Sequence, residues 1–451
     1  MSLSALLLYA LFLLYVVLRL FRRKAKDEKD YLLASRSLTL PAFVATTVSS
    51  WYGGILGVGE YSYSYGLSNW LVFGVPYYLY ALIFALFLAK RARRSSALTV
   101  PDQLRQRYGS KVAILGSSVL FFMTAPAAYV LALGTLLVHL TGLPLAPAIV
   151  VGTIFSLAYV FRGGLRAVVM TDKIQFTLMF LGFAILLPMA VSRFGGLSWL
   201  RDNLPAEHLS WNGGQPFQAI AVWYLIAAST LVEPAFYQRC FAAKDENTAR
   251  RGLFLSVIFW IVFDFMTTTT GLYARAAMPA LADAQFSYPL LAEAVLPPFA
   301  SALFMLGLLA TVMSTIDSYA FLAAVTFGRD IVWRLRGSRG DSNRFSRMGL
   351  LVTGLVSVGL ALWRESIVGL WHDLGSVGTP VLLFPLALSF GRRKIAAPWI
   401  LASMISGGTI SLAWLMAGKA GLALPLDLEA IFPGLMMSGL ICLAGWIRAR
   451  N

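Results

Sequence analysis

The chain has 451 residues, of which 58% are apolar and only 13% are charged, and its mean hydropathy is +0.72. Soluble globular domains are about half apolar and about a quarter charged, so this composition excludes an ordinary soluble enzyme and a disordered chain. Two cysteines, Cys240 and Cys442, are too few for a disulfide-rich scaffold. The formal net charge of +16 is typical of nucleic-acid-binding proteins, but its placement along the chain indicates a membrane protein instead.

Apolar runs that are long enough to cross a bilayer recur along the whole chain. A bilayer core about 30 Å thick requires about 20 apolar residues in a helix. The first run has no basic residue before it and no small-residue cleavage site after it, so we interpret it as a membrane helix rather than a signal peptide. The runs predict thirteen membrane helices, at residues 3–21, 38–60, 69–89, 112–138, 146–161, 173–192, 215–235, 252–273, 298–326, 348–363, 369–390, 395–417 and 430–447.

The basic residues indicate the direction of these helices. When thirteen helices alternate, all of the 37 Lys and Arg residues except Arg193, Arg201, Arg275, Arg364 and Lys419 fall on one side. Cytoplasmic loops are enriched in Lys and Arg, which predicts that the N-terminus lies outside and the C-terminus inside. These basic loops set the topology and contact anionic lipid, so we expect no nucleic-acid partner. The basic segments are 19–36, 90–111, 162–173, 239–251, 329–347, 392–394 and 448–450.

Acidic residues within or at the ends of apolar runs are candidates for function, because charge inside a bilayer is unfavourable. Asp172 follows Thr171, and Asp317 lies in the hydroxyl-rich segment 314–318, which reads STIDS. Hydroxyl, carboxylate and carbonyl oxygens are the ligands that a hard monovalent cation needs. Alternatively, the hydroxyls bond to carbonyls one turn earlier or join neighbouring helices. The other acidic residues of this kind are Glu60, Asp264 and Glu233.

Two runs are poor helix formers in their interior. Residues 46–66 read TTVSSWYGGILGVGEYSYSYG, and residues 227–230 read AAST, shortly before Glu233 and Pro234. An interrupted helix exposes carbonyls and a helix N-terminus to a ligand, although glycines also serve close helix packing. The two weak points lie five helices apart. Matching breaks in two halves of a chain are typical of transporters built from inverted repeats, with a central binding site between them.

Five segments resemble motifs of the sodium:solute symporter family, in the order and at the spacing of that family. They are residues 31–38 (YLLASRSL), 99–109 (TVPDQLRQRYG), 163–175 (GGLRAVVMTDKIQ), 238–244 (QRCFAAK) and 314–318 (STIDS). The resemblance implies an all-α integral membrane protein with the LeuT-type fold. It divides the chain into a leading helix and basic loop (1–37), two inverted five-helix repeats (38–192 and 193–390) and two trailing helices (391–451).

The same resemblance implies a symporter that couples sodium entry to the import of a small organic solute by alternating access, with Na+ as the coupling ion and no organic cofactor. The principal sodium ligands that it implies are the carbonyls of Thr47, Ser50 and Thr311 and the hydroxyls of Ser314 and Thr315. A second sodium ion, or a proton, would be held by Asp172, Ser314, Asp317 and Ser318. Sodium at the principal site is expected to favour the outward-open state that binds the solute.

The solute is expected beside the break in the second run. Candidate solute-binding residues are Trp51, Tyr52, Gly53, Glu60, Trp223 and Tyr224, whose aromatic rings are suited to stacking on a ring or enclosing a cation. Relatives usually have Gly at the position of Glu60 and often a small residue at that of Trp51. The solute of a relative therefore does not transfer to this chain, and the role of Glu60 stays open.

Three other functions are compatible with the fold or the composition. A proton-coupled symporter would use Asp172 or Asp317 as the titrating group. A non-transporting sensor would keep the fold, although the printed sequence includes no signalling domain. A membrane enzyme is not expected, because His139, His208 and His372 are far apart and the chain has no H-E-x-x-H or Gly-x-Ser-x-Gly motif. Short loops and few cysteines favour a bacterial inner membrane.

Overall fold

The computed structural model describes residues 27–363 and 366–449, with the backbone alone over 159–163. Within these ranges helices joined by turns and loops make up the protein, and the one β-bridge is an isolated pair between Leu38 and Ala243. The predicted first helix, residues 3–21, lies outside the described residues. The all-α prediction is confirmed for the rest of the chain.

Each of the other twelve predicted runs contains helix, and ten helices are long and apolar enough to cross a membrane. We number the helices of these runs in chain order. They are α1 (Leu40–Ser49), α2 (Ile55–Tyr65), α3 (Trp70–Arg94), α4 (Ser110–Thr141), α5 (Leu145–Ala158), α6 (Gly164–Phe194), α7 (Phe217–Ala242), α8 (Glu246–Ala277), α9 (Pro298–Trp333), α10 (Ser342–Trp363), α11 (Ile367–Ser389), α12 (Ala397–Lys419) and α13 (Ile431–Arg448).

Both predicted weak points are interruptions in the structure. The second run is two helices, because α1 ends at Ser49 and α2 begins at Ile55. The seventh run, α7, changes to a 3₁₀ segment over Ala227–Val232 and resumes as an α-helix at Pro234. The two interruptions occupy the first helix of each predicted repeat.

Two details differ from the sequence-based prediction. The run 112–138 is not one continuous helix: α4 is interrupted at Ala125–Pro126, because Pro126 has no N–H group for the helical ladder. The predicted loop 162–173 is instead a bend at Gly164, from which α6 starts. Gly164 has φ +57°, and a Cβ atom there would lie 2.5 Å from the carbonyl oxygen of Tyr31.

Helix α9 is the centre of the described bundle. It packs against α6 along much of its length, and every residue from Gly307 to Val325 is buried. Helix α1 packs against α6 and α8, while α12 and α13 pack mainly against each other and α11. The outer helices expose large apolar side chains, as expected of surfaces that face lipid; examples are Phe265, Leu355 and Ile447.

Ion pairs join the end of α9 to short helices that precede α1 and α4. Arg329 Nε lies 2.6 Å from Glu28 Oε1, and Arg329 Nη2 lies 2.9 Å from Asp102 Oδ2. Arg334 Nη2 lies 2.9 Å from the other oxygen of Asp102. Burial opposes ionisation of Asp102, but the two guanidinium groups outweigh it and hold the pKa of its carboxyl below the usual value.

We expect Gly349→Ala to lower the stability of the protein, because α10 crosses α9 closely at this residue. A Cβ atom on Gly349 would lie 2.3 Å from the carbonyl oxygen of Ala324. Overpacking of this kind destabilises by about 1–3 kcal/mol. The matched control is Gly359→Ala on the same helix, where no atom lies within 4 Å of the added Cβ. Thermal unfolding of the purified variants measures the difference, and equal melting temperatures would contradict the close crossing.

Candidate ion and solute site

The break between α1 and α2 lies against two other helices. A Cβ atom on Gly53 would lie 2.4 Å from Thr315 Cβ of α9, and one on Gly54 would lie 1.8 Å from Trp371 Cζ2 of α11. Only glycine allows the backbone to approach these side chains so closely. The two glycines therefore explain both why the helix breaks here and how the break is held against α9 and α11.

A cluster of buried polar side chains lies beside this break, between α1, α6, α7 and α9. Asp172 of α6 accepts hydrogen bonds from Thr46 Oγ1 and from Ser314 Oγ, the latter at 2.6 Å. Ser314 Oγ also lies 3.0 Å from Ser49 Oγ of α1. We call this group the Asp172 cluster. Its members are Thr46, Ser49, Ser50, Asp172, Arg239, Ser314 and Ser318.

Arg239 supplies the positive charge of the Asp172 cluster. Its side chain is 1% exposed, and Nη2 lies 3.9 Å from Asp172 Oδ2. The same nitrogen donates to Ser318 Oγ at 2.6 Å, and to Thr46 Oγ1 and Ser50 Oγ at 3.2 and 3.3 Å. One guanidinium group thus joins α7 to α1, α6 and α9.

The sequence-based prediction counted Arg239 among the residues of a basic loop, but the structure places it in the last segment of α7, where it is buried. A count of charges along the sequence does not show which of them are buried. Helix α7 continues to Ala242, and Arg239 therefore lies within the helical bundle. Glu233 is the N-cap of this last segment, because its Oε1 accepts a hydrogen bond from Ala235 N at 3.0 Å. The QRCFAAK motif, which contains Arg239, was the sequence signal that could have marked this residue as functional. The motif does not show which residues Arg239 contacts.

The residues predicted for the principal sodium ion lie at the interface of α1 and α9. Thr47 and Ser50 are at the end of α1, next to the Ser49–Ser314 contact. Thr311 Oγ1 donates to the Gly307 carbonyl, and Thr315 Oγ1 lies 3.5 Å from the Thr311 carbonyl. Thr47 Oγ1 is buried without a hydrogen-bond partner among the described residues. Such a group is unfavourable by about 1–3 kcal/mol unless a ligand satisfies it.

The residues predicted for a second ion are all fully or almost fully buried. Asp172 and Ser318 belong to the Asp172 cluster, where both contact Arg239. Asp317 is 0% exposed on the adjoining turn of α9. Gln175, one turn after Asp172, was not predicted; both polar atoms of its side chain are buried without a hydrogen-bond partner among the described residues.

A cavity of about 150 Å³ lies on the other side of the break. Trp51 and Tyr52, two of the residues predicted to bind the solute, line this cavity together with Gly54. Its lining residues are Trp51, Tyr52, Gly54, Val58, Phe73, Tyr77, Met123, Ala125, Ala128, Tyr129, Ile226, Ser229, Glu233, Asp264, Tyr319, Trp371, Leu374 and Gly375.

Four of the predicted solute-binding residues, Gly53, Glu60, Trp223 and Tyr224, are not part of this lining. Trp223 packs its ring 4.8 Å from that of Phe73, and Tyr224 lies in the same apolar cluster. Glu60 lies on α2, beyond the lining residue Val58. The distance of a residue from a break along the sequence does not determine whether its side of the helix faces the cavity. For this reason some predicted residues do not line the cavity, and Tyr129, Tyr319 and Trp371 line it although they were not predicted.

A model of the sodium:solute symporter family matches residues 31–407. The chain belongs to this family. The protein is accordingly a sodium-coupled symporter of a small solute, with an all-helical fold that spans the membrane several times. The described helices, the two interruptions and the polar cluster between them agree with the fold that the sequence motifs imply.

Individual relatives support the same family and fold. The sodium/pantothenate symporter of Escherichia coli (strain K12) is 27% identical over 439 residues, which cover 92% of this chain and 89% of that protein. The high-affinity choline transporter 1 of Drosophila melanogaster is 25% identical over 417 residues, which cover 85% of this chain and 66% of that protein. A Na+-coupled sialic acid symporter in a substrate-bound outward-open state has a TM-score of 0.80, with 17% identity and coverage of 99% and 98%.

We expect Arg239→Ala to destabilise the protein by about 3–5 kcal/mol, because it leaves Asp172 as an uncompensated buried charge. Asp172→Asn in the Arg239→Ala background removes that charge and should recover much of the loss. Thermal unfolding of the two single variants and the double variant measures the coupling. The exposed Arg251→Ala on α8 is the control. Additive effects of the two single substitutions would show that the ion pair does not stabilise this site.

Proposed function

We propose that this symporter binds its coupling sodium ion where the end of α1 meets α9. The ligands are the carbonyl oxygens of Thr47, Ser50 and Thr311 and the hydroxyl oxygens of Ser314 and Thr315. The observation that carries the proposal is the close approach of the break after α1, where the helix ends at Ser49, to Thr315 of α9. Oxygen ligands and carbonyls freed by a helix break suit a hard cation.

Sodium at this site would favour one arrangement of the break. The same short segment contributes Ser49 and Ser50 to the Asp172 cluster, and Trp51 and Tyr52 to the lining of the cavity. An ion that holds Thr47 and Ser50 against α9 therefore also positions the two aromatic residues. Release of sodium to the cytoplasm would free the break and weaken solute binding, which is the differential affinity that coupling requires.

The driving force of one ion is sufficient for substantial accumulation. Movement of one charge down 100 mV releases about 2.3 kcal/mol, and a tenfold concentration gradient adds about 1.4 kcal/mol. Their sum corresponds to solute accumulation of several hundredfold. We propose a single sodium ion per cycle, because Arg239 already places a positive charge beside Asp172 and Ser318, where a second ion was expected.

The proton-coupled alternative is less well supported by the surroundings of Asp172. This carboxylate accepts hydrogen bonds from Thr46 and Ser314 and lies 3.9 Å from Arg239, so its oxygens already have partners within the protein. A carboxylate held in this way is suited to a structural or ion-binding role. Asp317 is fully buried and stays the other candidate for a titrating group.

The Ser314→Ala, Thr315→Ala double variant should lose the stabilisation that sodium gives. A ligand at about 100 times its dissociation constant stabilises by about 2.7 kcal/mol. We therefore expect the intact protein to melt at a higher temperature in NaCl than in KCl of equal ionic strength, and the variant to melt alike in both. This measurement requires no knowledge of the solute.

The control for this experiment is Ser301→Ala, which removes a buried hydroxyl from the same helix far from the break. It should retain the sodium-specific shift. A sodium shift that persists in the double variant would remove Ser314 and Thr315 from the ion site. A shift that follows pH rather than sodium would favour the proton-coupled function.

We also propose the topology that the basic residues indicate, with the N-terminus outside, the C-terminus in the cytoplasm and anionic lipid at the basic loops. The division into repeats at 38–192 and 193–390, with trailing helices at 391–451, belongs to the same proposal. The interruptions in the first helix of each repeat support it, and the short loops favour a bacterial inner membrane.

Labelling of single cysteines tests this topology. Cys240 and Cys442 are both buried, so the background reaction with an impermeant maleimide should be low. Asn203 and Arg339 are exposed residues that lie between different helices. We expect Asn203→Cys to react in intact cells and Arg339→Cys only after permeabilisation. The reverse pattern would invert the topology, and labelling of both in intact cells would contradict the helix count between them.

A further inference from the structure

The cavity beside the break has an unusual chemical lining. Seven of its lining residues are aromatic, two are carboxylic acids, and none is Lys, Arg or His. The acids are Glu233, which caps the last segment of α7, and Asp264, which lies in the middle of α8. The aromatic residues are Trp51, Tyr52, Phe73, Tyr77, Tyr129, Tyr319 and Trp371.

The two carboxyl groups have hydrogen-bond donors but no salt-bridge partner in the described part of the chain. The Tyr78 hydroxyl group donates a hydrogen bond to Asp264 Oδ2. Ala235 N donates to Glu233 Oε1 at 3.0 Å. No described Lys, Arg or His forms a salt bridge with either carboxylate. Arg239, which is also on α7, attracts Glu233 electrostatically, but its salt bridge is with Asp172 and its shortest hydrogen bond is to Ser318.

Negative charge at a cavity within a membrane protein is unfavourable unless an opposite charge accompanies it. A positively charged solute would neutralise these carboxylates when it enters. An anionic solute would meet two groups of like charge and no basic side chain. The electrostatics of the lining therefore favour a cation.

The aromatic side chains are held in positions that suit the same ligand. The Trp51 ring packs between those of Phe236 and Trp260, with centroid distances of 5.3 and 5.1 Å. Tyr129 and Tyr319 meet edge to face at 5.3 Å, with 66° between their planes. Rings fixed at large mutual angles form the walls of a cage, and π faces attract ammonium groups, most strongly when water is excluded.

We infer that the solute is a small organic cation whose alkylated ammonium group lies between the aromatic rings, near Glu233 and Asp264. This inference rests on the proposed sodium-coupled transport and adds the class of solute. A cavity of about 150 Å³ limits the solute to a small molecule. Alkyl groups on the nitrogen match the aromatic walls, and the positive charge matches the two carboxylates.

Choline and its neutral isostere 3,3-dimethylbutan-1-ol separate charge from shape. The purified protein is melted in NaCl with increasing concentrations of either compound, and proline and pantothenate serve as zwitterionic and anionic comparisons. We expect choline to raise the melting temperature and the isosteric alcohol to leave it unchanged. Absence of a choline shift, or equal shifts with the neutral alcohol, overturns the inference.

Substitutions locate the binding of choline. Glu233→Gln and Asp264→Asn keep the size of each side chain and remove its charge, and each should weaken choline binding by about tenfold or more, which is about 1.4 kcal/mol or more. The control is Asp373→Asn, which removes a carboxylate of α11 that is bound to Lys419, outside the cavity lining. A similar loss in Asp373→Asn, or unchanged binding in both cavity variants, would contradict the assigned site.

The sodium-dependent shift without solute distinguishes this inference from the proposed function. A variant that retains the sodium shift is folded and has an intact ion site, so its loss of choline binding reports on the cavity. If sodium stabilises the protein but choline does not, the solute class is wrong and sodium coupling stands. If sodium gives no shift while choline still binds, the ion site is wrong and the cation cavity stands.

Discussion

A backbone that leaves the helical ladder inside a bilayer must find other partners for its polar groups, and this constraint governs the centre of the protein. The chain between Ser49 and Ile55 meets it by lying against α9 and α11 rather than against lipid. Gly53 and Gly54 permit that approach because any larger side chain would overlap Thr315 or Trp371. The position of the break therefore depends on α9, which is buried over its whole central part.

The Asp172 cluster holds together the helices that surround this break. A single carboxylate receives bonds from α1 and α9, and a single guanidinium group on α7 bonds to hydroxyls on α1 and α9. Buried charges of this kind are expensive to desolvate and are stable only when they are paired and hydrogen-bonded. Because both interrupted helices, α1 and α7, contribute to the cluster, it connects the two interruptions.

The ion residues and the cavity share one short segment of chain. Ser49 and Ser50 face the cluster, while Trp51 and Tyr52 line the cavity with Glu233 and Asp264. A small displacement of this segment would therefore alter the Asp172 cluster and the cavity together. In the proposed ion and solute sites Ser50 and Trp51 are consecutive residues, so no long communication path is needed between them. The segment after the α7 interruption has the same double role, with Glu233 at the cavity and Arg239 in the cluster.

The sequence by itself determined the helical membrane architecture, the two interruptions, the family and the buried acidic residues Asp172 and Asp317. These features depend on local composition: apolar length gives a membrane helix, glycine and hydroxyl content weakens one, and charge within an apolar run is conspicuous. Only the tertiary structure decided the partners of these residues. The sequence gives Arg239 as a loop residue, and only the course of α7 shows that it is buried. Glu60, Trp223 and Tyr224 stay predicted solute-binding residues, but only the structure shows that they do not line the cavity beside the break. The rotation and ends of helices depend on packing against distant segments, and neither composition nor spacing specifies those contacts.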